Sequence, residues 1–244
     1  MEVEPDSLPS LAPTPSLRAA ATVAIFAKWP EPGRVKTRLC PPLTPEAAAG
    51  LQRACLGDLW DRLGLLTGIR RVLCFDPPGS ADQFRALLGE RTWLLAQSAG
   101  DLGQRLIAAF SALFHAELGP VAVVGADSPD LPLATICEAL AAVRMGRCDV
   151  ALGPAQDGGY TLVCLGSPHP ELFHNIPWST PAVFAETLAA CRKASLRVHT
   201  LEPWYDVDDT ASLKRLQASV RSSPDELPRL HRWFAEVERE QHGW

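Results

Sequence analysis

Val121-Ala122-Val123-Val124-Gly125-Ala126-Asp127-Ser128-Pro129-Asp130-Leu131-Pro132 passes from an unbroken apolar run to a carboxylate, then turns through two prolines into a segment of helical period. A strand wetted on one face alternates apolar and polar residues, whereas an unbroken run marks a strand covered on both faces. The unit therefore reads as a buried strand, a turn and a helix, with Asp127 at the strand's carboxyl end. In doubly wound sheets that end opens into the ligand crevice.

The same unit recurs outward from this stretch. Apolar runs lie at 22–27, 71–75, 93–96, 150–153 and 160–165, and segments of helical period at 45–66, 81–88, 102–118 and 133–145 fall between the earlier ones. That alternation predicts an α/β fold with a mostly parallel sheet between two helical layers. Downstream, the pattern predicts a helix over 181–191, a short strand over 196–200 and a helix over 209–220 with Asp208 or Asp209 near its start. In 224–241, Leu227, Leu230, Phe234 and Val237 recur at spacings of three and four, the mark of an amphipathic helix. Its default role is packing on the parent domain; the alternative is a homodimer contact.

Composition narrows the class. A net charge of -5 and a pI near 5.7 argue against a nucleic-acid-binding surface, which relies on basic excess. No run approaches the roughly 18 to 20 apolar residues of a membrane span. Residues 1–20 are acidic and rich in Pro and Ser, without the basic start and apolar stretch of a signal peptide. They read as a disordered arm ahead of one domain over 21–244, and the protein as cytoplasmic. The seven cysteines contain no C-x-x-C pair and the six histidines no H-E-x-x-H, so a metal would have to be held by oxygen ligands.

After the first apolar run come Lys28, Trp29, Pro30, Glu31, Pro32, Gly33, Arg34, Val35, Lys36, Thr37, Arg38 and Leu39. Four cations, two prolines that restrict φ and a glycine that permits close backbone approach have the chemistry of an anion-binding loop, suited to a polyphosphate. In an extended stretch Arg34, Lys36 and Arg38 would share one side. A solvated basic loop explains the same letters.

The other constellations also carry two readings. Asp127 is placed to hold Mg²⁺, which takes one or two carboxylates plus phosphate oxygens and waters, or else to cap the next helix; Asp130 reads as the cap. Gly153-Pro154-Ala155-Gln156-Asp157-Gly158-Gly159-Tyr160 offers a carboxylate beside backbone that can crowd a ligand, or a plain Asp-Gly hairpin. Asp206-Val207-Asp208-Asp209 supplies a second metal carboxylate or an N-cap. Gly100-Asp101-Leu102-Gly103-Gln104-Arg105 suits a nucleotide contact or an ordinary helix start. There is no G-x-x-x-x-G-K-[ST], no G-x-G-x-x-G after the first strand and no G-x-S-x-G.

Together with Ile176-Pro177-Trp178-Ser179-Thr180, these motifs, in this order over residues 22–213, resemble the bacterial arsenosugar-biosynthesis-type glycosyltransferases of the nucleotide-diphospho-sugar transferase superfamily. The resemblance implies a glycosyltransferase-A-like fold, a Rossmann-like three-layer α/β/α sandwich similar to molybdenum-cofactor and phospholactate guanylyltransferases. It implies donor contacts from Lys28, Gly33, Arg34, Lys36, Arg38 and Asp101. It places Asp127 and Asp208 on Mg²⁺ or Mn²⁺, and Asp157 beside the acceptor as the catalytic carboxylate together with Asp127. Gly158, Gly159, Trp178, Ser179 and Thr180 would face the acceptor. The implied reaction passes a sugar from a nucleotide-sugar to a small acceptor. The alternatives are a nucleotidyltransferase that releases pyrophosphate from an NTP, and a non-catalytic nucleotide-binding protein. Two positions depart from the pattern: Trp29 stands where a small residue is more usual, and Asp209 where a threonine is expected.

Overall fold

Along β1 (Ala21–Lys28) successive side chains enter opposite layers, which is why the strand is apolar at nearly every position. Val23, Ile25 and Ala27 join a cluster with Leu59 and Leu63 of α1 (Pro45–Leu63) and Ile136 and Leu140 of α4 (Leu133–Arg144). Ala24 joins the opposite cluster with Leu106, Phe110 and Leu113 of α3 (Leu102–His115). A computed structural model describes residues 21–242, so the expected N-terminal arm lies outside the described residues.

The remaining elements are β2 (Ile69–Asp76), α2 (Ala81–Leu88), β3 (Leu94–Ala96), β4 (Val121–Gly125), β5 (Val150–Pro154), β6 (Tyr160–Leu165), α5 (Val183–Lys193), β7 (Val198–Thr200), α6 (Thr210–Ser222) and α7 (Pro228–His242). The seven strands form one sheet in the order β3-β2-β1-β4-β6-β5-β7. Every pairing is parallel except those of β6, which runs antiparallel to both β4 and β5. The molecule is a Rossmann-like α/β/α sandwich. Strand order steps outward from β1 to β2 on one side and jumps to β4 on the other, so the topological switch point lies between the carboxyl ends of β1 and β4.

Two segments differ from their sequence pattern. The C-terminal helix begins at Pro228 rather than at 224, because Asp58 of α1 accepts hydrogen bonds from the Arg229 and Leu230 N–H groups at 3.0 and 2.9 Å. That carboxylate fixes where the helix starts, and Pro228 suits a first-turn position that needs no N–H. Leu227, Leu230, Phe234 and Val237 pack with Leu51 and Ala54 of α1 and Leu216 of α6, so the helix covers its own domain. The basic loop is not extended: Lys36 takes a left-handed backbone at φ 49° and Thr37–Leu39 form a 3-10 turn. No helix among the described residues is long and apolar enough to cross a membrane.

Candidate functional site

The switch point brings together the loop after β1 and the loop after β4. Lys36 leaves the basic loop and enters the crevice with its side chain only 3% exposed, where its ammonium pairs with Asp127 and, at 3.2 Å, with Oδ1 of Asp208. The left-handed turn at Lys36 breaks the two-residue alternation, so Arg34, Lys36 and Arg38 do not share a side. Arg34 turns outward to Glu31 at 3.2 Å, an exposed pair of small energetic weight. Arg38 is exposed on the 3-10 turn. Lys28 is exposed at the end of β1, in register with Asp76 of β2, and Gly33 supplies a φ of 75° in the turn between them and Lys36.

Helix α1 holds both loops in place. Its buried Gln52 hydrogen-bonds the Asp127 carboxylate, Arg53 donates to the carbonyl of Pro30 at 3.2 Å, and Arg62 donates to the carbonyls of Pro129 and Leu131 at 2.6 and 3.1 Å. The segment before α6 is tied in equally firmly. The Val207 N–H donates to the Asp127 carbonyl at 2.9 Å, and the buried Ser128 hydroxyl sits 2.9 Å from the Tyr205 carbonyl and 2.6 Å from Asp206 Oδ1.

Asp130 does not cap α4. Its carboxylate is buried and accepts from the Tyr205 hydroxyl at 2.5 Å and from Trp204 Nε1 at 3.2 Å, while Pro132 stands at the helix start. A buried carboxylate without such donors would be costly. The cap before α6 is Asp209, which accepts from Ser212 N at 2.8 Å, so Asp208 is the member of that pair that faces Lys36.

The electrostatics follow from this arrangement. Burial opposes the charge on Lys36, but Asp127 and Asp208 outweigh it and raise its pKa above the ordinary lysine value. Burial likewise works against ionised Asp127, and the Lys36 charge overrides it, with the Gln52 hydrogen bond assisting, to hold the carboxyl below its usual range. At Asp206 the Lys36 charge is too weak to do the same. Burial pushes its pKa up to about 6, and Asp127 and Asp208 add to the rise against the Ser128 hydroxyl.

The donor set suits a hard divalent cation. Asp127 and Asp208 keep 44% and 45% of their side chains exposed while sharing one ammonium. Among the described residues no group of three or more His, Cys, Asp or Glu is arranged to hold a metal, so protein ligands would supply only part of a coordination shell. That fits an ion such as Mg²⁺ or Mn²⁺ completed by substrate phosphate and water.

Beside this cluster opens a cavity of about 480 Å³ lined by Arg38, Asp157, Asp208, Tyr205, Ser212 and Arg215, among others. Asp157 reaches it on the turn between β5 and β6, where its Oδ1 accepts from Gly159 N at 2.9 Å. The turn is pinned from behind: Gly158 has φ 92°, and a Cβ there would lie 2.3 Å from the Pro181 carbonyl oxygen. Trp178 packs edge-on against Tyr160 and close over Gly103 at the start of α3, and Ser179 (φ 62°) and Thr180 lie exposed beside it. Lining the cavity are Arg38, Asp157 and Asp208; Trp178, Ser179 and Thr180 flank the turn instead.

Asp101 is the N-cap of α3, accepting from Gln104 N at 2.8 Å. Next to it Arg105 bridges Asp76 and Gln97 at 3.3 Å each. Trp29 fits because Phe84 of α2 meets its ring edge-on at 5.0 Å. Sequence reasoning missed Gln52, Ser128, Tyr205 and Arg215. The one visible sign among them was Gln52, a polar residue on a helix whose neighbouring Leu51, Cys55 and Leu56 are apolar.

Comparison with known proteins adds a family and a fold. A model for a family described as uncharacterized protein conserved in bacteria (DUF2064) matches residues 59–180. A protein from Desulfovibrio desulfuricans G20, provisionally described as a nucleotide-diphospho-sugar transferase, is 31% identical; the match covers 91% of this chain and 98% of that one, with a TM-score of 0.81. A CMP:2-keto-3-deoxy-manno-octonic acid synthetase solved with CTP is 14% identical, over 83% of this chain and 98% of that one, with a TM-score of 0.55, a likeness of fold. No curated protein sequence matches significantly.

Proposed function

The chain belongs to the DUF2064 family of bacterial proteins, and from that premise we propose that it is a divalent-metal-dependent transferase that passes a sugar from a nucleotide-sugar to a small acceptor. The observation that carries this reading is the meeting of Lys36, Asp127 and Asp208 at the switch point, beside a cavity into which Asp157 projects. Support for glycosyl transfer, of the arsenosugar-biosynthesis type that the motifs resemble, comes also from the provisional description of the Desulfovibrio relative.

The division of labour follows from charge. Lys36 is already neutralised by its carboxylates, so its task is to hold Asp127 and Asp208 together against their mutual repulsion. Lys28, exposed at the end of β1, and Arg34, held only by its exposed pair with Glu31, are the cations left to meet donor phosphates. Asp127 and Asp208 would hold Mg²⁺ or Mn²⁺, whose charge would offset that of the departing diphosphate. Asp157 orients the acceptor hydroxyl and takes its proton as the new glycosidic bond forms and the bond to the diphosphate breaks. The Gly159 N–H fixes which way Asp157 points.

The test is thermal stability of the parent and of Asp127→Ala against a panel of NTPs, NDPs and NDP-sugars with Mg²⁺ or Mn²⁺. Ligand stabilisation grows with concentration over dissociation constant. Metal-dependent stabilisation by one NDP-sugar and its NDP, lost in the variant, is the expected result. A response confined to an NTP would replace glycosyl with nucleotidyl transfer. No response from any nucleotide would overturn the transferase reading.

A further inference from the structure

The cavity beside Asp157 has a second wall that the proposed chemistry does not use. Arg215, on the second turn of α6, lines it together with Arg38, which arrives from the opposite end of the chain on the 3-10 turn. Four aspartates, Asp157, Asp206, Asp208 and Asp209, line the same space. Arginines beside that many carboxylates ordinarily form bidentate pairs with them. Neither does so here.

Each carboxylate is turned to a partner of its own: Asp157 to Gly159 N, Asp206 to Ser128, Asp208 to Lys36 and Asp209 to Ser212 N. Arg215 is instead laid over an aromatic platform, with its guanidinium carbon 3.8 Å from the centre of the Tyr205 ring and 5.1 Å from that of Trp204. The platform is rigid. Both of its rings are hydrogen-bonded to the buried Asp130. Stacking consumes the face of a guanidinium and leaves its N–H donors, which lie in the plane, free at the edge. Arg38 has no carboxylate partner among the described residues, so two guanidiniums with unused donors face one space of about 480 Å³.

We propose that this cavity takes an acceptor bearing a terminal anion, a phosphate monoester or a carboxylate, gripped by Arg215 and Arg38 while its hydroxyl lies against Asp157. The inference rests on the transferase reading and names the acceptor class for it. A preoriented planar fork suits a bidentate oxyanion, and two forks suit the three terminal oxygens of a phosphate monoester best. A neutral sugar or alcohol would give neither guanidinium a bidentate partner for its in-plane donors.

The experiment titrates three probes of similar size, glycerol 3-phosphate, glycerate and glycerol, into the full chain at fixed ionic strength with Mg²⁺, and follows binding by calorimetry or NMR. Arg215→Gln removes the grip, Arg215→Lys keeps its charge, and Lys214→Gln makes the same change in net charge on the neighbouring exposed residue of α6. The expected result is binding of glycerol 3-phosphate at least tenfold tighter than glycerol, lost by tenfold or more in Arg215→Gln, partly kept in Arg215→Lys and within twofold of the parent in Lys214→Gln. Glycerate matching glycerol 3-phosphate would assign a general oxyanion site, and glycerate matching glycerol a phosphate site. Equal binding of charged and neutral probes, or equal loss in Arg215→Gln and Lys214→Gln, would overturn the proposal. The nucleotide panel run on the parent separates the two readings. Arg215-dependent anion binding without nucleotide binding would keep this site and remove the transferase, while nucleotide binding without anion discrimination would do the reverse.

Discussion

The ammonium of Lys36 lies 3.2 Å from the carboxylate of Asp208, across 172 residues of sequence, and the same ammonium pairs with Asp127 at the end of the central strand β4. One buried cation thus joins the segment after β1, the loop after β4 and the segment before α6. Removing it from Lys36→Met leaves two carboxylates facing each other beside a third. Loss of one partner of a buried pair costs about 3–5 kcal/mol, and half-exposed carboxylates reduce that toward about 2 kcal/mol. Urea unfolding at pH 7 should show the loss, and millimolar Mg²⁺ or Mn²⁺ should restore part of it. A variant as stable as the parent, or one indifferent to divalent ions, would mean that the ammonium does not organise these carboxylates.

Asp206 makes stability depend on pH in a known direction. Its carboxyl titrates near 6 in the folded chain and near the ordinary aspartate value of 3.8 in the unfolded chain. Between those values the folded state holds the extra proton, so this group's contribution to stability falls as pH rises through roughly 4 to 6 and stays low above. Two units correspond to about 3 kcal/mol, an upper bound for a group that water partly reaches. In the absence of divalent cations Asp206→Asn, which keeps an acceptor for Ser128, should raise the urea midpoint at pH 8, with the gain vanishing below pH 4. A gain that does not change with pH would assign the effect to something other than the Asp206 charge.

Gly158→Ala strikes the turn that carries Asp157. The φ of 92° disfavours any side chain, and the added methyl meets the backbone of Pro181, which cannot swing aside as a flexible side chain would. Overpacking alone costs about 1–3 kcal/mol. The variant should lose more than about 2 kcal/mol, and turnover in the proposed transfer should fall further than nucleotide affinity. Unchanged stability would show that the turn and Pro181 separate at little cost.

Tyr205→Phe removes the shorter of the two hydrogen bonds on buried Asp130 and leaves Trp204 as its remaining side-chain donor. An under-satisfied buried carboxylate costs about 1–3 kcal/mol. Because the ring survives, Arg215 keeps its platform. Stability should therefore drop while glycerol 3-phosphate binding stays within about threefold. A larger loss of binding than of stability would mean that the hydroxyl, not the ring, positions Arg215.

The sheet was legible because apolar runs without alternation have one common cause, burial on both faces, and Val121 to Val124 shows it plainly. The reversal of β6 was also open to reading. Residues 155–159 are too few for the crossover that a parallel neighbour requires, which leaves a hairpin as the compact solution. The placement of Lys36 was not legible. Alternation of Arg34, Lys36 and Arg38 predicts a shared side only if the backbone is extended, and a left-handed lysine gives no sign in the sequence. Asp130 illustrates the same limit: beside Leu131 and Pro132 it has the letters of a cap, while its true partners, Trp204 and Tyr205, lie more than seventy residues away. Arg215 gave no signal either, since its meaning comes from a ring it covers and a cavity it borders.

The pairing of Lys36 with Asp208 also bears on the order in which the protein is made. Lys36 is made first and Asp127 follows, but Asp208, the Trp204–Tyr205 platform and α6 come only after all seven strands. A nascent chain that has folded its sheet through β6 still has a crevice with half its carboxylates and no second wall. A chain that stops before Asp208 therefore retains much of the apolar core but not the complete site, and the arrangement at the switch point is whole only once α6 has been made.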